Sequence, residues 1–165
     1  MNKKIQRNYL EITSITDLND SSILTDGYTV QIIEPEDFQL NKFFYKNIGK
    51  NHHWIDRLIW TEKKWVEYVS DEKVKTYVLK KENELAGYFE LIIHSHEVEI
   101  AYLGLLEEYQ NKKLGSFLLS SAIKNSFLEN PKRVWVHTCS LDHKNALNNY
   151  IARGMKIFKK ETITI

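Results

Sequence analysis

Proline and cysteine are nearly missing from this chain: its 165 residues include two prolines and one cysteine. A lone thiol, Cys139, cannot close an internal disulfide, so no disulfide framework is expected and a reducing compartment is. With 42% hydrophobic and 27% charged residues, the composition excludes a disordered or Pro-rich chain. No apolar run approaches the roughly 18–20 residues of a membrane helix, and no apolar signal core follows the charged opening MNKKIQRNYLEI. One-sided charge is lacking too. Twenty-three Lys and Arg against 22 Asp and Glu leave a net charge of +1, which favours neither nucleic acid nor a membrane surface as a partner. There is no internal repeat, no low-complexity tract and no G-x-x-x-x-G-K-[ST] loop of the nucleotide triphosphatases. The expectation is a single cytoplasmic domain over residues 1–165, with 1–27 as an N-terminal extension packed on it.

What is present centres on Glu97 to Ile123, EVEIAYLGLLEEYQNKKLGSFLLSSAI. Glu97–Leu106 is apolar and short, which predicts a strand. Tyr109–Lys113 is a polar, basic loop. From Leu114 the period changes, and Leu114, Phe117, Leu118 and Ala122 fall at helical spacing. A strand, a loop rich in backbone donors and a helix N-terminus together make an anion site, because the first N–H groups of a helix are unpaired and its dipole is positive there. The same pattern also describes a basic surface loop between two core elements.

Elsewhere, Tyr9–Thr13 reads as an edge strand and Tyr28–Ile33 as a strand. Pro35 suits the first turn of a helix that Gly49 ends, and Thr61 caps a second helix. Thr76–Leu79 and Glu84–Ile93 read as a hairpin leading into the central strand. After the central helix come a strand at Val134–Cys139, a helix capped by Asp142 and stopped by Gly154, and a closing strand pair, Met155–Phe158 and Glu161–Ile165. This order mixes hairpins with helical crossovers, an α/β layered sheet.

Two stretches carry a resemblance. Gln110-Asn111-Lys112-Lys113-Leu114-Gly115 resembles the Q/R-x-x-G-x-G/A loop of the GNAT superfamily of acyl-CoA-dependent N-acetyltransferases, with Lys113 where the family has its first glycine. VWVHTCSLDHKNALNNYIARGMKIF resembles the family's closing strand–helix–strand, with Ala146, Tyr150, Gly154 and Met155 at its recurring positions. The resemblance spans roughly Tyr28 to Ile165. It implies a mixed, mostly antiparallel twisted sheet with a splayed central strand pair and helices on both faces. It also implies acetyl-CoA as co-substrate and transfer of its acetyl group to a primary amine of a small molecule, amino acid or peptide, by direct attack in a ternary complex. The alternative of another class is a non-catalytic acyl-CoA-binding module. A homodimer is compatible with either.

Carried over by position, the resemblance assigns Gln110, Asn111, Lys112, Lys113, Leu114, Gly115 and Ser116 to the pyrophosphate loop. It assigns Leu103, Gly104 and Leu105 to backbone pairing with the pantetheine arm. Gly104 then either marks a bulge that frees an N–H or packs beneath a bulky neighbour. His143 stands where relatives often have a cofactor-contacting asparagine. Tyr150 is the expected proton donor to the departing thiolate, or else a core tyrosine. Amine attack needs a base, and Glu99 is the candidate, with Glu97 and Glu90 as alternatives. His53, Trp54, Asp56 and Trp60, beside His52 and Arg57, are expected in the acceptor wall. Adjacent histidines without Cys or carboxylate spacing predict no metal site. Cys139, with His137 two residues away, is either an acyl-accepting nucleophile or a core strand residue.

Overall fold

The computed structural model describes residues 2–21, 23 and 25–165. Seven strands form one sheet: β1 (Lys4–Ile12), β2 (Tyr28–Ile32), β3 (Val74–Lys81), β4 (Glu84–Ile93), β5 (Glu97–Leu105), β6 (Arg133–Cys139) and β7 (Lys156–Thr164), in the order β2-β3-β4-β5-β6-β1-β7. Every pairing is antiparallel except β5–β6. Four helices accompany the sheet: α1 (Phe38–Gly49), α2 (Glu62–Val69), α3 (Leu114–Phe127) and α4 (Ala146–Ala152).

Period-two alternation sorts the strand residues between two faces. On the first, Phe44 of α1 stacks on Tyr88 of β4 with ring centroids 4.8 Å apart, and Tyr45, Trp65 and Val69 join α1 to α2. On the second, Phe89, Leu91, Val98 and Ile100 meet Leu118, Leu119, Ala122 and Ile123 of α3 in one core. Helices therefore flank both faces, and the α1–α2 pair covers β3 to β5. On β6 and β1 the first face carries Trp135, Tyr9 and Arg7, all partly exposed. Among the described residues no helix is long and apolar enough to cross a membrane.

Most expected elements form, with four differences. The N-terminal segment is not an edge strand at Tyr9–Thr13. It is Lys4–Ile12, inserted between β6 and β7, with Leu10 opposite Val136 and Arg7 opposite both Cys139 and Glu161. The closing pair is one continuous strand, β7. Pro35 precedes α1, whose N-cap is Asp37, the side chain accepting from the Gln39 N–H at 3.0 Å. Asp142 does not cap α4, which starts after Asn145. Its carboxylate instead accepts from the Cys139 N–H at 3.0 Å and from the Thr138 hydroxyl, closing the turn that leaves β6.

Candidate active site

β5 and β6 pair only at Glu97–Arg133, Val98–Val134 and Glu99–Trp135. Beyond Glu99 the two strands part, and the outer edge of β5 is left without a strand partner. Backbone groups there must find another acceptor or donor. Within β5 the register against β4 slips, since Glu90 faces Tyr102 while Leu91 faces Ile100, so Ala101 is an extra residue on the β5 side. The bulge is thus at Ala101 and not at Gly104. Gly104 is the packed alternative: a Cβ there would stand 2.7 Å from Cγ2 of Ile48 on α1.

The parting strands open a cleft of about 1230 Å³. Leu103, Gly104 and Leu105 line it, as do Gln110, Asn111, Lys113, Gly115 and Ser116. Gln110 donates from Nε2 to the Leu105 carbonyl at 3.2 Å and ties the loop to the strand. Asn111 and Lys113 both adopt left-handed conformations, with φ of 62° and 65°. Lys113 is the N-cap of α3 and makes no side-chain capping bond, so the first-turn N–H groups of a 14-residue helix are left for a ligand. A left-handed lysine costs about 1–2 kcal/mol relative to its ordinary helical conformation. Lys113 thus holds a left-handed backbone that glycine adopts without that cost. Two expected loop residues lie elsewhere: Leu114 is buried in the core, and Lys112 stands over the Tyr109 ring at 5.5 Å.

α4 forms the facing wall. Asn149 donates from Nδ2 to the Gly115 carbonyl at 3.0 Å, locking α4 to the start of α3. Tyr150 follows in the cleft wall, 7% exposed, with its hydroxyl pKa raised by burial and by the nearby Asp142 carboxylate. It is therefore held as the neutral, proton-bearing phenol. His143 lines the cleft 6.2 Å from the His52 ring. Its pKa is lowered by burial, then by His52 and Lys144, which keeps it neutral.

On the first face, Glu99 lines the cleft and its Oε1 lies 3.1 Å from His94 Nε2. The two other carboxylates are occupied. Glu97 binds Arg133, and Glu90 is wholly buried and accepts from Arg57 at 2.9 and 3.2 Å, from Tyr68 at 2.7 Å and from Asn41 at 2.9 Å. Burial is the largest influence on Arg57 and works against its charge, but Glu90 with Tyr68, Tyr102 and Tyr88 together outweigh it and raise the guanidinium pKa. His53, Trp54 and Asp56 line the cleft as expected. Trp60 turns away from it, packing 4.9 Å from Trp65 and beneath the Arg57 guanidinium. Cys139 lines the cleft as a partly buried thiol whose pKa is raised by burial, the opposite of an activated nucleophile. Among the described residues, no group of three or more His, Cys, Asp or Glu could hold a metal ion.

Three contributors carried no sequence signal that singled them out: Ala101 at the bulge, Asn149 at the helix junction, and Arg7. Only the strand register reveals the first and the third.

No curated protein matches this chain. The model of the Acetyltransferase (GNAT) family matches residues 35–155. Among solved structures, a GCN5-related N-acetyltransferase from Sphaerobacter thermophilus has a TM-score of 0.71 at 14% identity, over 97% of this chain and 50% of its own. One from Kribbella flavida has a TM-score of 0.69 at 12% identity, over 99% and 58%. A protein of unknown function from Staphylococcus epidermidis has a TM-score of 0.68 at 14% identity, over 99% and 62%. The chain thus spans only 50% to 62% of those structures' length. An aminoglycoside acetyltransferase from an uncultured soil metagenomic sample, crystallised with trehalose, has a TM-score of 0.66 at 12% identity, over 79% of this chain and 90% of its own. At such identities the likeness is one of fold, and together with the family match over most of the chain it supports one conclusion: the chain belongs to the GNAT acetyltransferase family.

Proposed function

We propose that the chain transfers an acetyl group from acetyl-CoA to a primary amine by direct attack in a ternary complex, in a cytoplasmic setting. The observation that carries this reading is a convergence in one cleft. The uncapped start of α3, the unpaired edge of β5 and the Tyr150 hydroxyl all border the space where β5 and β6 part.

The residues fit the co-substrate. Gln110, Asn111, Lys113, Gly115 and Ser116 would hold its pyrophosphate through the loop and helix N–H groups, with Lys113 adding a cation. Leu103 to Leu105 offer backbone groups to its amide-bearing arm, and His143 faces it from the turn before α4. When bound, acetyl-CoA supplies an activated acyl group as a thioester. Ala101, extra to the β4–β5 ladder, provides backbone free to stabilise negative charge developing at the acyl oxygen. Tyr150 gives its proton toward the sulfur side. Glu99, directly or through water, takes the proton that the attacking amine loses. His53, Trp54 and Asp56 border the acceptor.

A rate assay tests this. Acetyl-CoA with a panel of primary amines should give amine-dependent release of free thiol, and Y150F should lower kcat without changing the Kd for acetyl-CoA. Tight acetyl-CoA binding with no transfer to any amine would favour the non-catalytic module.

A further inference from the structure

We propose that Arg7 selects the acceptor: the substrate class is an aminocarboxylate, an amine that also carries a carboxylate group. This rests on the acetyl-transfer reading and names the acceptor class for it.

The argument begins with where Arg7 stands. β1 lies between β6 and β7, and Arg7 sits opposite Cys139 on one side and Glu161 on the other. Strand alternation puts its side chain on the same face as His137 and Glu99, and all three line the cleft. Ile5 and Ile163, paired one step along, give that end of the cleft apolar walls. A cation is thus set against low-polarity surroundings, on the side of the sheet that also holds Glu99 and the His53–Asp56 segment.

The guanidinium is only half engaged. Nη1 reaches Glu161 Oε1 at 3.4 Å, a long contact, while Nε is buried with no hydrogen-bond partner. Buried donors are ordinarily paired, so a vacant one beside a cleft calls for an acceptor. Glu161 does not neutralise the site. The Tyr9 hydroxyl donates to the same Oε1 at 2.6 Å, and Lys159 Nζ lies 3.7 Å from Oε2. Two cations therefore share one carboxylate, and the cluster has a net positive charge. Of the groups beside Arg7, His137 and Cys139 add no charge near pH 7, while the Glu99 and Asp142 carboxylates lie within reach of His137. His137 is held down by burial and then by Arg7, and the Cys139 thiol is pushed up by burial. A planar guanidinium that is 30% exposed and makes one long contact is matched geometrically by a carboxylate, which accepts two parallel N–H bonds.

Arg57, also on this side, shows what a sealed site looks like. Its Nη1 donates to both oxygens of Glu90, its guanidinium lies over the Tyr68 and Tyr102 rings at 4.2 and 4.3 Å, and no buried donor of Arg57 lacks a partner. Arg57 is closed. Arg7 is open.

The test compares three acceptors differing only at the anionic group: an amino acid, its amide and its decarboxylated amine. The wild type should favour the amino acid in kcat/KM by about tenfold or more, as expected for a charge-assisted pair. R7M should raise KM for the amino acid by about tenfold while leaving KM for the amide, and for acetyl-CoA, unchanged. R7K should recover part of the loss. E161Q, which frees Arg7, should lower KM for the amino acid. Equal kcat/KM for the three acceptors, or an R7M loss of equal size for amino acid and amide, would overturn the proposal. If no amine is acetylated, the transfer reading fails and this one is still decided by binding. The N-acetylated amino acid, but not its amide, should raise the unfolding temperature of the wild type and not of R7M. The absence of that difference would overturn it.

Discussion

Two arginine–glutamate pairs on one face of the same sheet have opposite characters. Arg57–Glu90, beneath α1 and α2, is sealed: the side chains are 7% and 0% exposed, five aromatic rings surround the guanidinium, and Tyr68 and Asn41 complete the carboxylate's bonds. Arg7–Glu161, where no such cover exists, is long, 30% and 31% exposed, and keeps a donor in hand. Charge type does not distinguish a structural pair from a ligand-ready one. Burial and aromatic cover do. The first pair fastens the segment carrying His53, Trp54 and Asp56 onto β4, and the second borders the cleft that segment overlooks.

The comparison is most easily broken at the sealed pair. R57M leaves the Glu90 carboxylate buried without its cation and should destabilise the fold by about 3–5 kcal/mol, read from denaturant midpoints. The double variant R57M/E90L should lose much less, because no lone charge remains. Equal losses for single and double variants would mean that packing, not charge, is what matters there.

The next effect in size is chemical. Y150F should lower kcat by about 100-fold or more, the usual range for a lost proton donor, with acetyl-CoA affinity retained. A wild-type kcat would return Tyr150 to the core as packing only.

Smaller is the loop. K113G removes a left-handed side chain and should stabilise the protein by about 1 kcal/mol or less. It should also flatten the salt dependence of acetyl-CoA affinity, since one cation leaves the phosphate site. A destabilised K113G would show that the lysine side chain has packing contacts that outweigh its backbone strain.

Smallest is a pH effect on the open side. Folding lowers the pKa of His137, through burial first and Arg7 second, although more than a third of its surface stays open to solvent. The unfolded chain therefore binds the proton more readily than the folded one. Stability should be unaffected by this group above about pH 6.5 and fall as pH drops below it. H137Q should flatten that decline, and an unchanged slope would show that the decline belongs to other groups.

How far the sequence could be read follows from how local each feature is. The loop Gln110–Gly115 and the helix α4 are written in contiguous residues, so the loop and the helix are legible, although Lys112 and Leu114 lie outside the cleft. β1 is not legible, because its partners lie more than a hundred residues away and a short alternating stretch does not name them. β7 looked like two strands because Lys159 and Lys160 interrupt its apolar pattern, as an edge strand with an exposed surface permits. Gly104 reads equally as a bulge or as a glycine packed beneath a bulky neighbour; the close approach of Ile48 makes it the second, and the bulged residue is Ala101. Glu90 read as a candidate base from its strand position alone. Only the tertiary structure, which brings Arg57, Tyr68 and Asn41 onto it, takes it out of consideration.

The most direct test of the central claim is thermal unfolding of the protein with and without acetyl-CoA, with ATP as a control for phosphate binding alone. At about 100 times its Kd, a ligand of the native state adds about 2.7 kcal/mol, worth several degrees in a chain of this size. The account predicts that shift with acetyl-CoA and none with ATP. No shift at millimolar acetyl-CoA, or equal shifts with both, would contradict a coenzyme A site between β5 and β6.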